Sequence, residues 1–276
     1  MKKVLLATTA LTLSAGFASA DVSMSGTGGA GVFGAAGADL SVYSGVDLGF
    51  AISGASDNGM TFSASLDMGG GQTLDVGDFE LDTQDMGTDD NASVAIGVGG
   101  VTITLSQNGV DDLYSDDIAG DIGISGAMGD LTYSVVTGLE DDDPTSISIG
   151  YSAGAISGSV ATSDQGDAST VSVSYAMGDI TLSAESDTDR AGADTSTVGV
   201  SYAMADGMTV SVEESEGVIE ASVAYSSGAI SVGVSADDAA AESWEATMAY
   251  DLGGGATFNL GTNQDETTFA GVGFSF

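Results

Sequence analysis

The side chains able to do chemistry in this chain are almost all carboxylates. There are 41 Asp and Glu against three Lys and Arg, with no histidine and no cysteine. Those absences remove thiolate and imidazole metal sites, disulfide frameworks and any catalysis built on His or Cys. A hydrolase using Ser and Asp alone, or a pair of carboxylates, survives on composition. No G-x-S-x-G elbow or comparable spacing supports one, so the chain reads as a non-enzyme. So few cations also exclude a conventional nucleic-acid surface, which has to neutralise phosphates.

The acids cluster at Asp89-Asp90, Asp111-Asp112, Asp116-Asp117, Glu140 to Asp143 and Asp237-Asp238, each run lying between strand-like patterns. Such runs suit solvated loops of a protein adapted to a salty medium. They also suit the collection of divalent cations, since Ca²⁺ takes several oxygen ligands. No G-G-x-G-x-D repeat points to a calcium β-roll, so beyond Ca²⁺ at acidic loops no cofactor is expected.

What must position these acids is a repeated hairpin. From Thr170 to Asp187 (TVSVSYAMGDITLSAESD), Val171, Val173 and Tyr175 alternate with serines, a short turn follows, and Ile180, Leu182 and Ala184 alternate with Thr181, Ser183 and Glu185. This is the period-2 signature of two antiparallel strands. The unit returns at 148–160, 200–212, 222–234 and 247–260, and its tyrosines Tyr151, Tyr175, Tyr202, Tyr225 and Tyr250 recur about every 25 residues. That spacing holds two strands of about nine residues with their connections, the length a tilted strand needs to cross a bilayer.

Further strands are expected at 22–33, 40–53, 60–67, 92–98, 101–106, 118–126, 131–137 and 267–276, which brings the count to eighteen. The longest connection, 69–91, could hide a short strand at 79–81. Tight-turn signals at Asp57-Asn58-Gly59, Gly99-Gly100, Gly129-Asp130 and Gly253-Gly254-Gly255 alternate with longer acidic segments, as in a membrane barrel. Residues 1–20 (MKKVLLATTALTLSAGFASA) read as a secretory signal peptide ending in Ala18-Ser19-Ala20, with the mature barrel occupying 21–276. Removing it takes Lys2 and Lys3 and leaves Arg190 as the one basic side chain.

Alternation assigns the faces. Ile219, Ala221, Val223 and Tyr225 share one side of their strand and Glu220, Ser222 and Ala224 the other; Trp244, Ala246, Met248 and Tyr250 similarly oppose Glu245, Thr247 and Ala249. The polar face is small, hydroxylated and acidic, which suits a water-filled lumen, and its wall carboxylates are Asp47, Asp121, Glu185, Glu213, Glu220 and Glu245. The five tyrosines at the same end of successive hairpins form an aromatic girdle at headgroup depth.

The C-terminal strand ends in Phe274-Ser275-Phe276 with Ala270 and Val272 on the same face as Phe274, and it resembles the closing strand and assembly signal of bacterial outer-membrane proteins. Together with the leader, Tyr250 to Gly261 (YDLGGGATFNLG) and Ser93 to Leu105 (SVAIGVGGVTITL), the chain is similar to Gram-negative porins of the Rhodobacter-like alphaproteobacterial type. The resemblance implies an all-β, up-and-down transmembrane β-barrel of 16 strands, where the sequence count is 18. It also implies a homotrimer, contact with outer-membrane lipid and the outer-membrane assembly machinery, and a third external loop folded into the pore. That loop matches Gln107 to Asp117, which keeps the family's Asp-Leu-Tyr at 112–114 but is shorter. Its Asp111, Asp112, Tyr114, Asp116 and Asp117 are the expected constriction. The family's basic cluster opposite the loop has no counterpart, since Arg190 falls in a different loop.

The expected function is a passive outer-membrane pore for small hydrophilic solutes, preferring cations. A structural or adhesive barrel with cation-binding acidic loops, and a secreted acidic β-protein, are the competing readings. If the last strand directs assembly, deleting Phe276 lowers the membrane-inserted fraction, measured by heat-modifiable migration; unchanged insertion would contradict the assignment.

Overall fold

A computed structural model describes residues 17–35, 37–84, 92–114, 118–140, 145–164, 168–239, 241 and 243–276. It is built of strands: β1 (Phe17–Gly34), β2 (Ser41–Ser56), β3 (Thr61–Asp75), β4 (Glu80–Gln84), β5 (Ser93–Val98), β6 (Val101–Asp111), β7 (Ala119–Met128), β8 (Leu131–Thr137), β9 (Thr145–Ala153), β10 (Ile156–Ser163), β11 (Ser169–Met177), β12 (Ile180–Thr188), β13 (Asp194–Ala203), β14 (Met208–Ser215), β15 (Val218–Ser227), β16 (Ile230–Asp237), β17 (Trp244–Gly253), β18 (Ala256–Asn263) and β19 (Thr268–Ser275).

Apart from β4, each strand pairs antiparallel with the wall strands before and after it, and β19 returns to β1 in the register Thr27↔Ser275 to Gly34↔Thr268. The two chain ends lock further where Gly26 and Phe276 exchange both backbone hydrogen bonds at 3.0 Å. A closed, wholly antiparallel wall must hold an even number of strands. β4 is the one outside it. β3 pairs with β5 through Thr61–Ser65 and with β4 only through its far end, Gly71–Asp75. Eighteen described strands therefore close the barrel, and the count of 16 implied by the resemblance does not hold for this chain.

The faces follow from the ladders. Val171, Ala184, Val198, Glu214 and Ile219 sit on adjacent strands of one face, and Ser172, Glu185, Thr197 and Ser215 on the other. The outer face leaves Val173, Val198, Val223 and Val234 exposed, as expected of side chains whose solvent is lipid. The inner face is tied by hydroxyls, with Ser65 and Ser93 at 2.8 Å, Ser159 and Ser172 at 2.8 Å, and Thr197 and Ser215 at 3.0 Å.

The two rims differ. At one end the strands join through tight turns with glycine at positive φ, among them Gly154, Gly178, Gly228 and Gly253 to Gly255. Tyr151, Tyr175, Tyr202, Tyr225 and Tyr250 stand on the outer face just before those turns, each 40–46% exposed. They pair with Leu131, Leu182, Val210, Met208 and Phe258, making one apolar and aromatic row around that end. Longer connections occupy most of the other rim, the two-residue turn Glu216-Gly217 between β14 and β15 being an exception.

Val223 is in the middle of β15 and faces out, while Ser222 faces in. Val223→Arg is expected to destabilise the barrel by about 2–4 kcal/mol, the cost of a cation at the bilayer midplane, and Ser222→Arg by far less. Equal effects in denaturant titrations of the folded barrel would contradict the face assignment.

Candidate functional site: the lumen and the two segments folded into it

The lumen is narrowed from two sides. The first segment is the β3–β4 hairpin, whose turn is held by Asp75 Oδ1 accepting the N–H groups of Gly77 (2.7 Å) and Asp78 (3.2 Å). β3 leaves the wall at Gly71, a residue with φ +81° that a side chain would strain. Its chain then crosses the inner face of β2, where Gly45 faces it: a Cβ on Gly45 would come within 2.5 Å of the Gln72 backbone. Beyond this the hairpin lies over β1, β19 and β18, sharing a cavity of about 400 Å³ with Thr27, Gly29, Tyr43, Thr257, Asn259 and Gly273. Gly31 and Gly271 leave room there for the Tyr43 ring, which is buried to 3% exposure.

At the tip, Phe79 packs its ring on Phe269 at 5.3 Å between centroids, and both are buried. Gly77, Asp78 and Phe79 line a second cavity, of about 330 Å³, with Glu220, Asp237, Glu245 and Asn263. One face of the hairpin carries Thr73, Asp75, Glu80 and Asp82, and the other Leu74 and Leu81. The lumen therefore has an acidic strip on an inward-folded segment, where the short strand expected at 79–81 is β4, displaced to 80–84 and paired with the far end of β3.

The second segment is the connection after β6. β6 runs on to Asp111, with a register shift between Leu105 and Val110, so the loop proper begins at Asp112. It lies along the inner wall. Leu113 N donates to Ser146 Oγ (3.0 Å), Ser163 Oγ donates to Asp112 Oδ2 (3.2 Å), and Tyr114 OH donates to Asp187 Oδ2 (3.0 Å). Asp187 also accepts the Thr170 hydroxyl. Arg190 Nη2 sits 3.3 Å from Asp112 Oδ1, and its guanidinium carbon is 5.7 Å from the centre of the Tyr114 ring. Burial first, and then the hydrogen bond to Asp187, push the Tyr114 phenol above its ordinary value of 10.0. Its donor bond is therefore intact below that value and is lost only as the pH rises through the raised one.

The expected residues sort as follows. Asp112 and Tyr114 are in the inward-folded loop, but Asp112 is buried and paired with Arg190, so it is no free constriction charge. Arg190 does stand in a different loop, the one between β12 and β13, and its side chain reaches across to this one. Asp111 ends β6 opposite Ala119 and is exposed. Asp116 and Asp117 lie outside the described residues. Glu213 and Glu220 face each other across β14 and β15, Glu220 faces Asp237, and Glu245 faces Ser235. Glu185 and Glu213 share with Ser159, Ser172, Ser174 and Ser183 a groove of about 470 Å³. Asp47 is on the inner face of β2, with Tyr43 and Gly45.

Asp121 does not behave as a wall charge. Its carboxylate accepts Asn108 N, at the irregularity of β6, and Leu139 N, in the connection after β8, both at 2.9 Å, and ties the two together. Sequence reasoning missed Asp75, Asp78, Glu80 and Asp82. The glycine run 69–71 ahead of Leu74 and Phe79 was the available signal. Among the described residues no group of three or more His, Cys, Asp or Glu is arranged to hold a metal ion.

A closed antiparallel barrel with an apolar outside, a hydroxylated inside and inward-folded segments agrees with the family comparison, in which the pattern of Gram-negative porins matches residues 7–270. The chain belongs to the Gram-negative porin family. This porin is accordingly a channel-forming barrel of the outer membrane. Solved structures with the same fold include an engineered variant of the Rhodopseudomonas blastica porin (TM-score 0.59, 17% identity, 93% of this chain and 100% of that one). A triple mutant of that porin matches over the same shares with TM-score 0.59 and 18% identity. A porin refined at 1.8 Å matches at TM-score 0.56 and 16% identity, again over 93% and 100%. No curated protein sequence matches the chain.

Gly45→Val is expected to push the β3–β4 hairpin off the wall and change single-channel conductance. Gly49→Val, on the same face but meeting only the Ser25 hydroxyl at 3.1 Å, should leave it near the parent value. Identical conductances for the two variants would show that the hairpin does not rest on β2.

Proposed function

We propose that this porin is a cation-preferring diffusion pore for small hydrophilic solutes, with the β3–β4 hairpin as the main constriction. The observation that carries the reading is the charge of the inner face. Glu185, Glu213, Glu220, Asp237 and Glu245 line it, Asp78 approaches from the hairpin tip, and the one basic side chain beyond the leader, Arg190, is occupied by Asp112. Carboxylates along a narrow aqueous path raise the local concentration of cations and repel anions, and no row of arginines opposes them. Solutes pass by size and charge, without chemistry at the wall.

The same reading covers maturation and assembly. Removal of residues 1–20 as a signal peptide would shorten β1 at its start, where its pairing with β2 is irregular between Phe17 and Ala20, and leave its seam with β19, from Gly26 to Gly34, untouched. The family resemblance extends the reading to a homotrimer.

Reversal potentials in a KCl gradient test the selectivity. Potassium preference is expected, strong near 0.1 M salt, where charges act over about 10 Å, and weak at 1 M, where they act over about 3 Å. Changing Glu185, Glu213, Glu220 and Glu245 together to Gln should reduce it. Anion preference at low salt, or indifference to the four changes, would remove the electrostatic part of the proposal.

A further inference from the structure

Among the described residues, neither inward-folded segment contributes to the groove of about 470 Å³ on β10 to β14. Ser174 on β11 faces Ser183 on β12, Ser183 faces Gly199 on β13, and Gly199 faces Glu213 on β14. Two residues further along β12, Glu185 faces Thr197. Gly199 is buried beneath the groove. A Cβ there would lie 2.5 Å from Ser183 Oγ and 3.6 Å from Glu213 Oε2, so the two side chains lean over one glycine from opposite sides. We propose that this groove is a weak, saturable binding site for hydroxylated organic cations, solutes that carry a protonated amine beside several hydroxyl groups, and that Gly199 is its specificity-determining residue.

The chemistry of the groove is mixed. Ser159 and Ser172 bind each other, and Thr197 donates to Ser215. Ser174, Ser183, Glu185 and Glu213 make no side-chain hydrogen bond to another described residue and are open to the lumen. Each of those hydroxyls offers a donor and acceptors, and each carboxylate acceptors only. A potassium ion engages the carboxylates and leaves the hydroxyl donors unused. A neutral polyol engages the hydroxyls and gains nothing from the charge. A protonated amine flanked by hydroxyls satisfies both sets, with the ammonium in a charge-assisted bond to a glutamate. The stems of Glu185 and Glu213 stand about 12 Å apart, two strand spacings across and two residues along, a gap that a short polyol chain bridges. Asp237, across the lumen, is already supplied with donors by Ala239 N, Ser243 N and the Ser243 hydroxyl.

Glycine inside a strand marks a place where other groups approach the backbone closely. A side chain at 199 would displace Ser183 Oγ and press on Glu213, while leaving every charge and hydroxyl of the groove in the chain. A solute held there occupies part of the potassium path, so its binding is read as a saturable fall in potassium current. The site rests on the pore reading above, which it narrows from cations in general to one class of solute. A parent barrel that conducts no potassium fails that reading; a conducting parent indifferent to hydroxylated amines fails only the present one.

The probe is 1-amino-1-deoxysorbitol, whose aliphatic amine is protonated at neutral pH, added to reconstituted channels in dilute KCl. Sorbitol is its neutral counterpart, and n-butylammonium is a cation without hydroxyls. The aminosorbitol is expected to lower the potassium current saturably, at a concentration severalfold below that needed for either control. Measured against each variant's own potassium current, Gly199→Val and Glu213→Gln should each raise the half-blocking concentration severalfold. Gly233→Val, an added side chain on the inner face of β16 opposite Thr247, should leave it near the parent value. If Gly199→Val does not insert, shown by loss of heat-modifiable migration, Gly199→Ala and Ser183→Ala take its place with the same expected rise. Equal block by the aminosorbitol and either control would overturn the proposal. So would a Gly199 or Glu213 variant blocked as readily as the parent, or a Gly233→Val channel that loses the block as they do.

Discussion

Backbone hydrogen bonding at the seam between β1 and β19 is the constraint on which the remainder of this structure depends. Inside a bilayer no water is available to an unpaired N–H or C=O, so a sheet can cross only if it has no edge. The Gly26–Phe276 exchange and the eight-residue β1–β19 register remove that edge. Once the wall is closed, strand parity does the rest: every second side chain must meet lipid and every other one must meet the lumen. The valines and tyrosines on one side, and the serines, threonines and glutamates on the other, are the two solvents written onto one backbone.

The inner wall is not uniform, and glycine decides where it can be covered. Gly29, Gly31, Gly45, Gly271 and Gly273 cluster on β1, β2 and β19, where Tyr43 and the β3–β4 hairpin lie close to the sheet. Across the barrel, β10 to β14 carry hydroxyls and carboxylates that stay open to the lumen. Close approach is thus reserved for the side without side chains. The described part of the third loop is held differently, by hydrogen bonds to side chains of β9 and β12 that accept from it, by a donor on β10 and by one ion pair, so the two narrowing segments have unlike physical supports: van der Waals packing over glycine and Phe269 for one, polar contacts for the other.

Much of this was legible from alternation alone. All eighteen expected strands are present in the wall, because a period of two with a tyrosine and a glycine turn at each repeat is a strong local signal. The inward faces of Glu185, Glu213, Glu220 and Glu245 came from the same parity. What escaped depended on contacts far apart in sequence. Nothing local marks Gly45 as a seat for Gln72, or Arg190 as the partner of Asp112. The hairpin at 71–84 showed in the sequence only as a short strand at 79–81, because its two arms pair with each other and add no repeat to the wall. Asp121 obeyed the alternation, yet its two oxygens are taken by the backbone N–H groups of Asn108 in β6 and Leu139 after β8, a use that parity cannot reveal.

The central claim is that the tip of the β3–β4 hairpin stands in the conducting path, against a carboxylate-lined wall. Because the chain has no cysteine, a single Asp78→Cys in reconstituted channels can be treated with a membrane-impermeant, positively charged thiol reagent while current is recorded. The account predicts a stepwise fall in potassium current on modification, with no such step for Val223→Cys on the lipid face. Reaction at Asp78→Cys that leaves the current unchanged would contradict it.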